Sequence, residues 1–568
     1  MGDIESYHLY SVILSAVLVG TVVYFTSSIY GLFAGIVAGL SLFLYPLFFG
    51  ESRFNIKDPP ETVYYAISAI IFYRGITVNN WKWILVSSIF AGLAFGTKLN
   101  IIFLYVSIVL WLCLYWGSVL RQLSLGKFIQ KYKKVLIMIV LFPVVPVALY
   151  FISWPILWED PFNRVLYNIS YYKSVGLGSI PDPRFSFFGI NMYAPAWILY
   201  TTPLTVLAFS LVGIFWTFRF GFKEENKTSL FLLFWFLVPI ARVMFPGAGI
   251  YGGVRQIMEY IPALAILSGI GASAIVAWLH SYIVKNKLLN HLAIKPLFLL
   301  QLLIILSFLP ITLKLISLHP NESIYFNSII GGLKGAKDKN IPGWGNSLGS
   351  TYRQAVKWFN EHVEPNAKLA LIYELRSNIP SIDLRPDINF SNQFRSSLER
   401  KGEYIIGVTH EGASEDRFHR KYLERFLIPV HEIIVDDVAV LKIWKNDLER
   451  TKPGYNKEEK ITDFSIIKDK NFIKIDLKRI IPVTRIYIYY NQSDCMPPTD
   501  GYFEYSFNGH IWKRDIGDFA PETATKLSGI GVFRYLFAAE RARFFQAIIA
   551  DKNSCLLKGK VKIEVYKI

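Results

Sequence analysis

Glu51, Arg53, Lys57, Asp58 and Glu61 all fall within "GESRFNIKDPPE", residues 50–61, a charged stretch set between two apolar runs. Hydrocarbon excludes charge, so ionisable groups at its edge form either a polar turn or a site for a charged ligand. Two further turns carry cations in the same setting: "GLAFGTKLN", residues 92–100, with Lys98, and "PGAGIYGGVRQ", residues 246–256, with Arg255. An arginine can fork onto two oxygens and a lysine supplies a point charge, which together suit a phosphate carried on a lipid. Each cation alone is accounted for by a helix end whose long side chain reaches for water. Three such cations at one membrane face favour a binding site.

The elements that must hold these residues follow from composition. The 568 residues are 53% hydrophobic and 18% charged, with a mean hydropathy of +0.34. Soluble chains carry about 25% charged residues, and a spanning helix needs roughly 20 apolar ones. Candidate spans lie at 9–27, 30–48, 60–76, 82–97, 100–118, 135–153, 197–217, 229–245, 257–279 and 296–316. After residue 320 charges become frequent and no run is long enough to span. The fold class expected is therefore a multi-pass α-helical membrane domain of about ten helices, followed by soluble modules.

Lysine and arginine in short loops set the orientation. The stretches 74–82, 119–134, 218–228 and 280–295 are basic and alternate correctly for the cytoplasmic side. Residues 49–60, 97–100, 154–196, 246–256 and everything after 317 then face outward. That parity also puts Met1 outside, either because the short acidic tail "MGDIES" crosses unaided or because a first helix is missing before it. The net charge of +17 needs no nucleic-acid partner, because much of it is cytoplasmic-loop Lys and Arg. No Cys- or His-rich cluster suggests a metal site. Cys113 falls within a span and reads as packing. Cys495 and Cys555 share the last module, where an oxidising side would permit a disulfide.

Residues 8–68, from "HLYSVILSAV" to "DPPETVYYAIS", resemble the early helices of membrane glycosyltransferases of the protein O-mannosyltransferase clan, which includes the lipid A aminoarabinose transferase. The shared pattern is a His-Leu entering one helix, a second helix ending near Pro, and an Asn-x-Lys-Asp turn. "GLAFGTKLN" is similar to the clan's Gly-Leu-x-x-x-x-Lys turn, and "WPILWEDP", residues 154–161, to its Trp-Pro-x-x-Trp segment. "HPNESIYFNSIIGGLKGA", residues 319–336, is similar to the segment leaving the last helix, so the likeness runs in order over about 8–445. The resemblance implies transfer of a sugar, mannose-like or related, from a polyprenyl- or dolichyl-phosphate donor to an extracytoplasmic protein, lipid or glycan. The lipid-linked donor is the one co-substrate it implies, and with the loop charges it places a multi-pass enzyme in the plasma membrane with extracytoplasmic C-terminal domains. By position Arg53 and Lys98 would contact the phosphate, with Lys57 and Arg255 next. Asp58 would orient Lys57 or Arg53, or cap the helix that begins near Pro59-Pro60. The clan's catalytic acid sits on the loop before its second helix. Here either Asp3 or Glu5 serves, or the base lies upstream of Met1 and the chain as written is inactive.

The domains expected are a membrane domain at 1–318, an α/β domain at 319–450 and a β-sandwich at 460–568. "TYRQAVKWFNEHV" has helical spacing, while "EYIIGVT" and "VAVLKIWK" read as strands. In the last module "FIKIDL", "VTRIYIYY" and "KVKIEVYK" alternate as strands, and Asn508-Gly509 has hairpin-turn chemistry. "YSFNGHIWK" and "ARFFQAII" resemble the discoidin β-sandwich, in which sugar binding is common, although a fold does not fix a ligand. The competing readings are a transporter or lipid-linked sugar flippase, and an inactive scaffold that holds surface glycans.

Overall fold

The structure is a computed structural model describing residues 3–176, 182–250, 252–286, 296–345, 350–371, 379–410, 418–491, 495–496, 501–515, 518–522, 530–549 and 551–568. It divides into two compact units, Met1–Ser350 and Thr351–Ile568.

The first unit is helical. Among the described residues six segments are long and apolar enough to cross a membrane: Ser6–Tyr30, Leu99–Leu120, Leu125–Ser153, Leu204–Lys223, Arg255–Lys285 and Pro296–Leu318. Shorter apolar helices cover Leu32–Phe43, Trp81–Thr97 and Thr228–Arg242. The chain is thus the multi-pass helical bundle expected, with local differences that proline explains. The 30–48 stretch breaks into Leu32–Phe43 and Pro46–Glu51, because Pro46 lacks an N–H to continue the ladder. The 197–217 stretch likewise breaks before Pro203, into Tyr193–Thr201 and Leu204–Phe220. The basic loop read at 119–134 is mostly helix: a helix begins at Leu125, so Lys127, Lys131, Lys133 and Lys134 lie on its first turns. Lys287 and Lys295 of the 280–295 stretch lie outside the described residues.

Close helix approach holds this unit together. A Cβ on Gly213 would fall 1.9 Å from the Leu267 carbonyl oxygen, and one on Gly271 would fall 1.9 Å from that of Phe209. The helices Leu204–Phe220 and Ile261–Lys285 therefore touch backbone to backbone. Small residues favour such contact in lipid, where apolar surfaces have no water to escape. Cys113, expected as packing, is exposed on its helix.

The second unit carries two sheets. One has five strands in the order Asn389–Phe390, Lys368–Leu371, Tyr404–Val408, Val438–Lys445, His431–Val435. Its first three strands are parallel and the last two pairings antiparallel. The other has eight antiparallel strands built on two long ones, Phe472–Asn491 and Ile530–Ile548. Its core includes Ile475, Ile486, Phe503, Phe537 and Phe545. Tyr422 and Phe426, from the helix Phe418–Phe426, share a core with Trp444 of the smaller sheet and Ala538 of the larger. Cys495 and Cys555 are joined by a disulfide.

Candidate functional site

Asn55 organises the charged turn within residues 50–61. Its Oδ1 accepts the backbone N–H groups of Lys57 (2.9 Å) and Asp58 (3.0 Å). Its Nδ2 donates to Glu51 Oε2 (2.7 Å) and Asp58 Oδ2 (2.9 Å). One amide thus fixes two carboxylates, at the end of the helix Pro46–Glu51 and the start of Asp58–Thr77. Pro59 and Pro60 fit the first turn of the second helix, where an N–H has no intrahelical partner in any case.

Asp58 is where two of the expected cations meet. Lys98 Nζ donates to Asp58 Oδ1 at 2.8 Å, and Arg255 Nη1 lies 3.4 Å from Oδ2. Asp58 makes no side-chain cap on its helix, and its partners are Lys98, Arg255 and Asn55 rather than Lys57 or Arg53. Burial alone would raise its pKa, but Lys98 and then Arg255 outweigh this and hold the carboxyl below the usual range. Glu51 behaves oppositely. It is 1% exposed, and burial pushes its carboxyl up to about 7 against the Asn55 hydrogen bond.

The cluster continues through residues that the sequence reading did not single out. The Gln256 carbonyl oxygen accepts from Lys98 Nζ (2.9 Å), Asn100 Nδ2 (2.7 Å) and Arg242 Nη2 (2.9 Å). Arg242 also donates to Asn100 Oδ1 at 2.9 Å and lies 3.3 Å from Glu259 Oε1. Glu61 is fully buried within electrostatic reach of Glu259, Lys98 and Arg242, and neither of its oxygens has a hydrogen-bond partner. The available signal was a charged residue at the mouth of an apolar run, as in "VPIARVMF" and "QIMEYIPALA", which is costly without a use.

Arg53 stands in a neighbouring group. Its Nη2 pairs with the Glu322 carboxylate and donates to the Pro320 carbonyl (3.2 Å), while Nη1 lies 3.0 Å from His319 Nδ1. Gly50 allows the approach, since a Cβ there would come 2.8 Å from the Ser323 nitrogen. Residues 319–322 therefore pack on the turn at 50–58. Lys57 is exposed, and its backbone is engaged on both sides, the N–H on Asn55 Oδ1 and the carbonyl by the Glu61 N–H. Asp3 and Glu5 fall at the start of the helix Asp3–Tyr30, and their side chains lie outside the described residues.

The arrangement has unspent donors for an anion. Arg53, Arg242 and Arg255 each keep a buried Nε–H without an acceptor. An ammonium has three donors, of which Lys98 uses two, on Asp58 and Gln256.

Residues 2–150 match the family model described as dolichyl-phosphate-mannose-protein mannosyltransferase. The resemblance read from residues 8–68 to the protein O-mannosyltransferase clan of membrane glycosyltransferases is borne out by that match. Among solved structures the chain is similar to ArnT from Cupriavidus metallidurans bound to undecaprenyl phosphate, at 13% identity and a TM-score of 0.40, covering 78% of this chain and 84% of that one. It is also similar to the Archaeoglobus fulgidus oligosaccharyltransferase in the apo form, at 10% identity and a TM-score of 0.41, covering 94% and 83%. No curated protein matches its sequence.

Proposed function

We propose that this chain is a glycosyltransferase that moves a sugar from a polyprenyl-phosphate donor to an extracytoplasmic acceptor. The observation that carries this reading is the meeting of Lys98 and Arg255 on Asp58, beside guanidinium Nε–H groups that lack acceptors. A lipid phosphate entering there takes up those donors and displaces the long Arg255–Asp58 contact first. Arg53, from its own ion group, contributes a second approach to the phosphate, and Lys57 lies exposed at the rim.

In the transfer step an acceptor hydroxyl oxygen bonds to the anomeric carbon while the bond from that carbon to the phosphate oxygen breaks. The electron pair of the broken bond leaves with the lipid phosphate, and the cations stabilise that charge as it develops. The hydroxyl proton passes to a carboxylate. Asp3 and Glu5 remain candidates for that base. Glu51 is the carboxyl in the cluster best poised for it, because a base serves best with a pKa near the working pH. The second unit, on this reading, binds the glycan, lipid or protein that receives the sugar.

The test is sugar transfer in proteoliposomes from a polyprenyl-phosphate-linked hexose, followed against pH. Glu51 with a pKa of about 7 is active only when ionised. The rate is therefore low below that value, rises through it and levels above it. In Glu51→Gln the rise disappears along with most of the rate. Absence of transfer from any such donor, together with absence of donor binding, would return residues 50–61 to a polar turn between helices.

A further inference from the structure

We infer that the second unit contains a binding site for an acidic saccharide, a pyranose ring bearing a carboxylate. The site is a cavity of about 730 Å³ between the helix Phe418–Phe426 and the hairpin at 506–513. That volume lies within the ~300–1,000 Å³ typical of small-molecule sites. This inference does not depend on the membrane cluster, which belongs to the other unit.

The floor of the cavity is a strained bulge. Val483 pairs with Glu540 and Arg485 with Leu536, so the strand Ile530–Ile548 carries surplus residues at 537–539. Ala539 sits there at φ +55°, a conformation unfavourable for a side chain with a Cβ. Bulges of this kind re-aim side chains and cluster beside functional sites. Arg425 clamps this one, donating from Nη1 to the Ala538 carbonyl (2.6 Å) and to Glu540 Oε1 (3.0 Å). Lys421 reaches the same Oε1 at 3.0 Å. Glu540 is therefore balanced twice over by its own neighbours.

Positive charge is left in excess. That excess is Arg541, which lines the cavity and whose guanidinium has no hydrogen bond or ion pair among the described residues; Lys513, also in the lining, faces the Asp515 carboxyl electrostatically. The walls are apolar and aromatic. Tyr455 packs against Phe426 with the rings tilted and 4.8 Å between centroids, and Phe507 and Ile511 are 58% and 78% exposed. The Asn508 Oδ1 accepts from the His510 and Ile511 N–H groups, which fixes the hairpin tip that presents Phe507. Close by, Asp515 is buried with an Oδ2 that lacks a partner. An aromatic wall beside an uncompensated cation suits a ring with an apolar face and a negative substituent. A bare anion would leave the wall unused, and a neutral sugar would leave the charge.

The experiment is titration of the full chain in detergent with methyl glucuronide, with methyl glucoside as the neutral comparator, read by calorimetry and ligand-observed magnetic resonance. The glucuronide binds and the glucoside binds at least about tenfold more weakly, the effect of one charge-assisted contact. Arg541→Ala removes that preference, Arg541→Lys restores part of it, and Phe507→Ala weakens binding of both sugars about fivefold. Both positions are exposed, so neither substitution endangers the fold. Failure of the glucuronide to bind, equal binding of the two sugars, or binding unchanged in Arg541→Ala would each overturn the inference.

Discussion

Alanine at Lys98 weakens binding of a polyprenyl phosphate about tenfold or more, and alanine at Arg255 does the same. A hydrogen bond to a charged group contributes about 1.5–3 kcal/mol net, and each ~1.4 kcal/mol is a factor of ten in affinity. Lys98 is only 9% exposed, so water screens its contact little. Both cations rest on Asp58, hence the double variant loses less than the sum of the two single losses. Residues that share a partner couple in this way. Arg53 belongs to the Glu322 group, so Arg53→Ala adds to Lys98→Ala with weaker coupling. Arg53→Lys recovers part of the loss, because an ammonium cannot fork onto two oxygens. The measurement is donor affinity in nanodiscs for each variant.

The second large effect falls on stability. Glu322 is 1% exposed and takes both Arg53 and His319. Glu322→Ala removes the carboxylate and leaves Arg53 partly buried without its counter-charge. Breaking a buried pair from one side costs about 3–5 kcal/mol, and the lower end applies because the Arg53 side chain is 26% exposed. Thermal unfolding in detergent should show the loss, and Arg53→Ala on top of Glu322→Ala should give part of it back. If the single variant melts like the parent, the turn at 319–322 is held by its backbone contacts instead.

Much of the bundle was legible because apolar runs need no long-range information: spans at 100–118 and 257–279 emerge close to where they were read. Proline decided the differences, since Pro46 and Pro203 cut runs whose hydropathy alone reads as continuous. In the second unit "FIKIDL" and "VTRIYIYY" read as two strands, since each alternates as a short run of its own. The structure makes them one strand, Phe472–Asn491, with Lys478 at φ +60° absorbing the irregularity. Lys98, Arg255 and Asp58 were visible from charge at a membrane edge. Their pairing was not, because residues 40 and 197 positions apart meet only through tertiary packing. Arg242 and Glu322 escaped for a related reason: a lone charge near a helix end reads as reaching for water until its partner is known.

The most direct test of the phosphate site is an experimental structure of the chain in nanodiscs with a polyprenyl phosphate. Phosphate density is expected within hydrogen-bond reach of Lys98 Nζ and the Arg255 guanidinium, with the Arg255–Asp58 contact opened. Phosphate density elsewhere, with Lys98 and Arg255 still closed on Asp58, would contradict it.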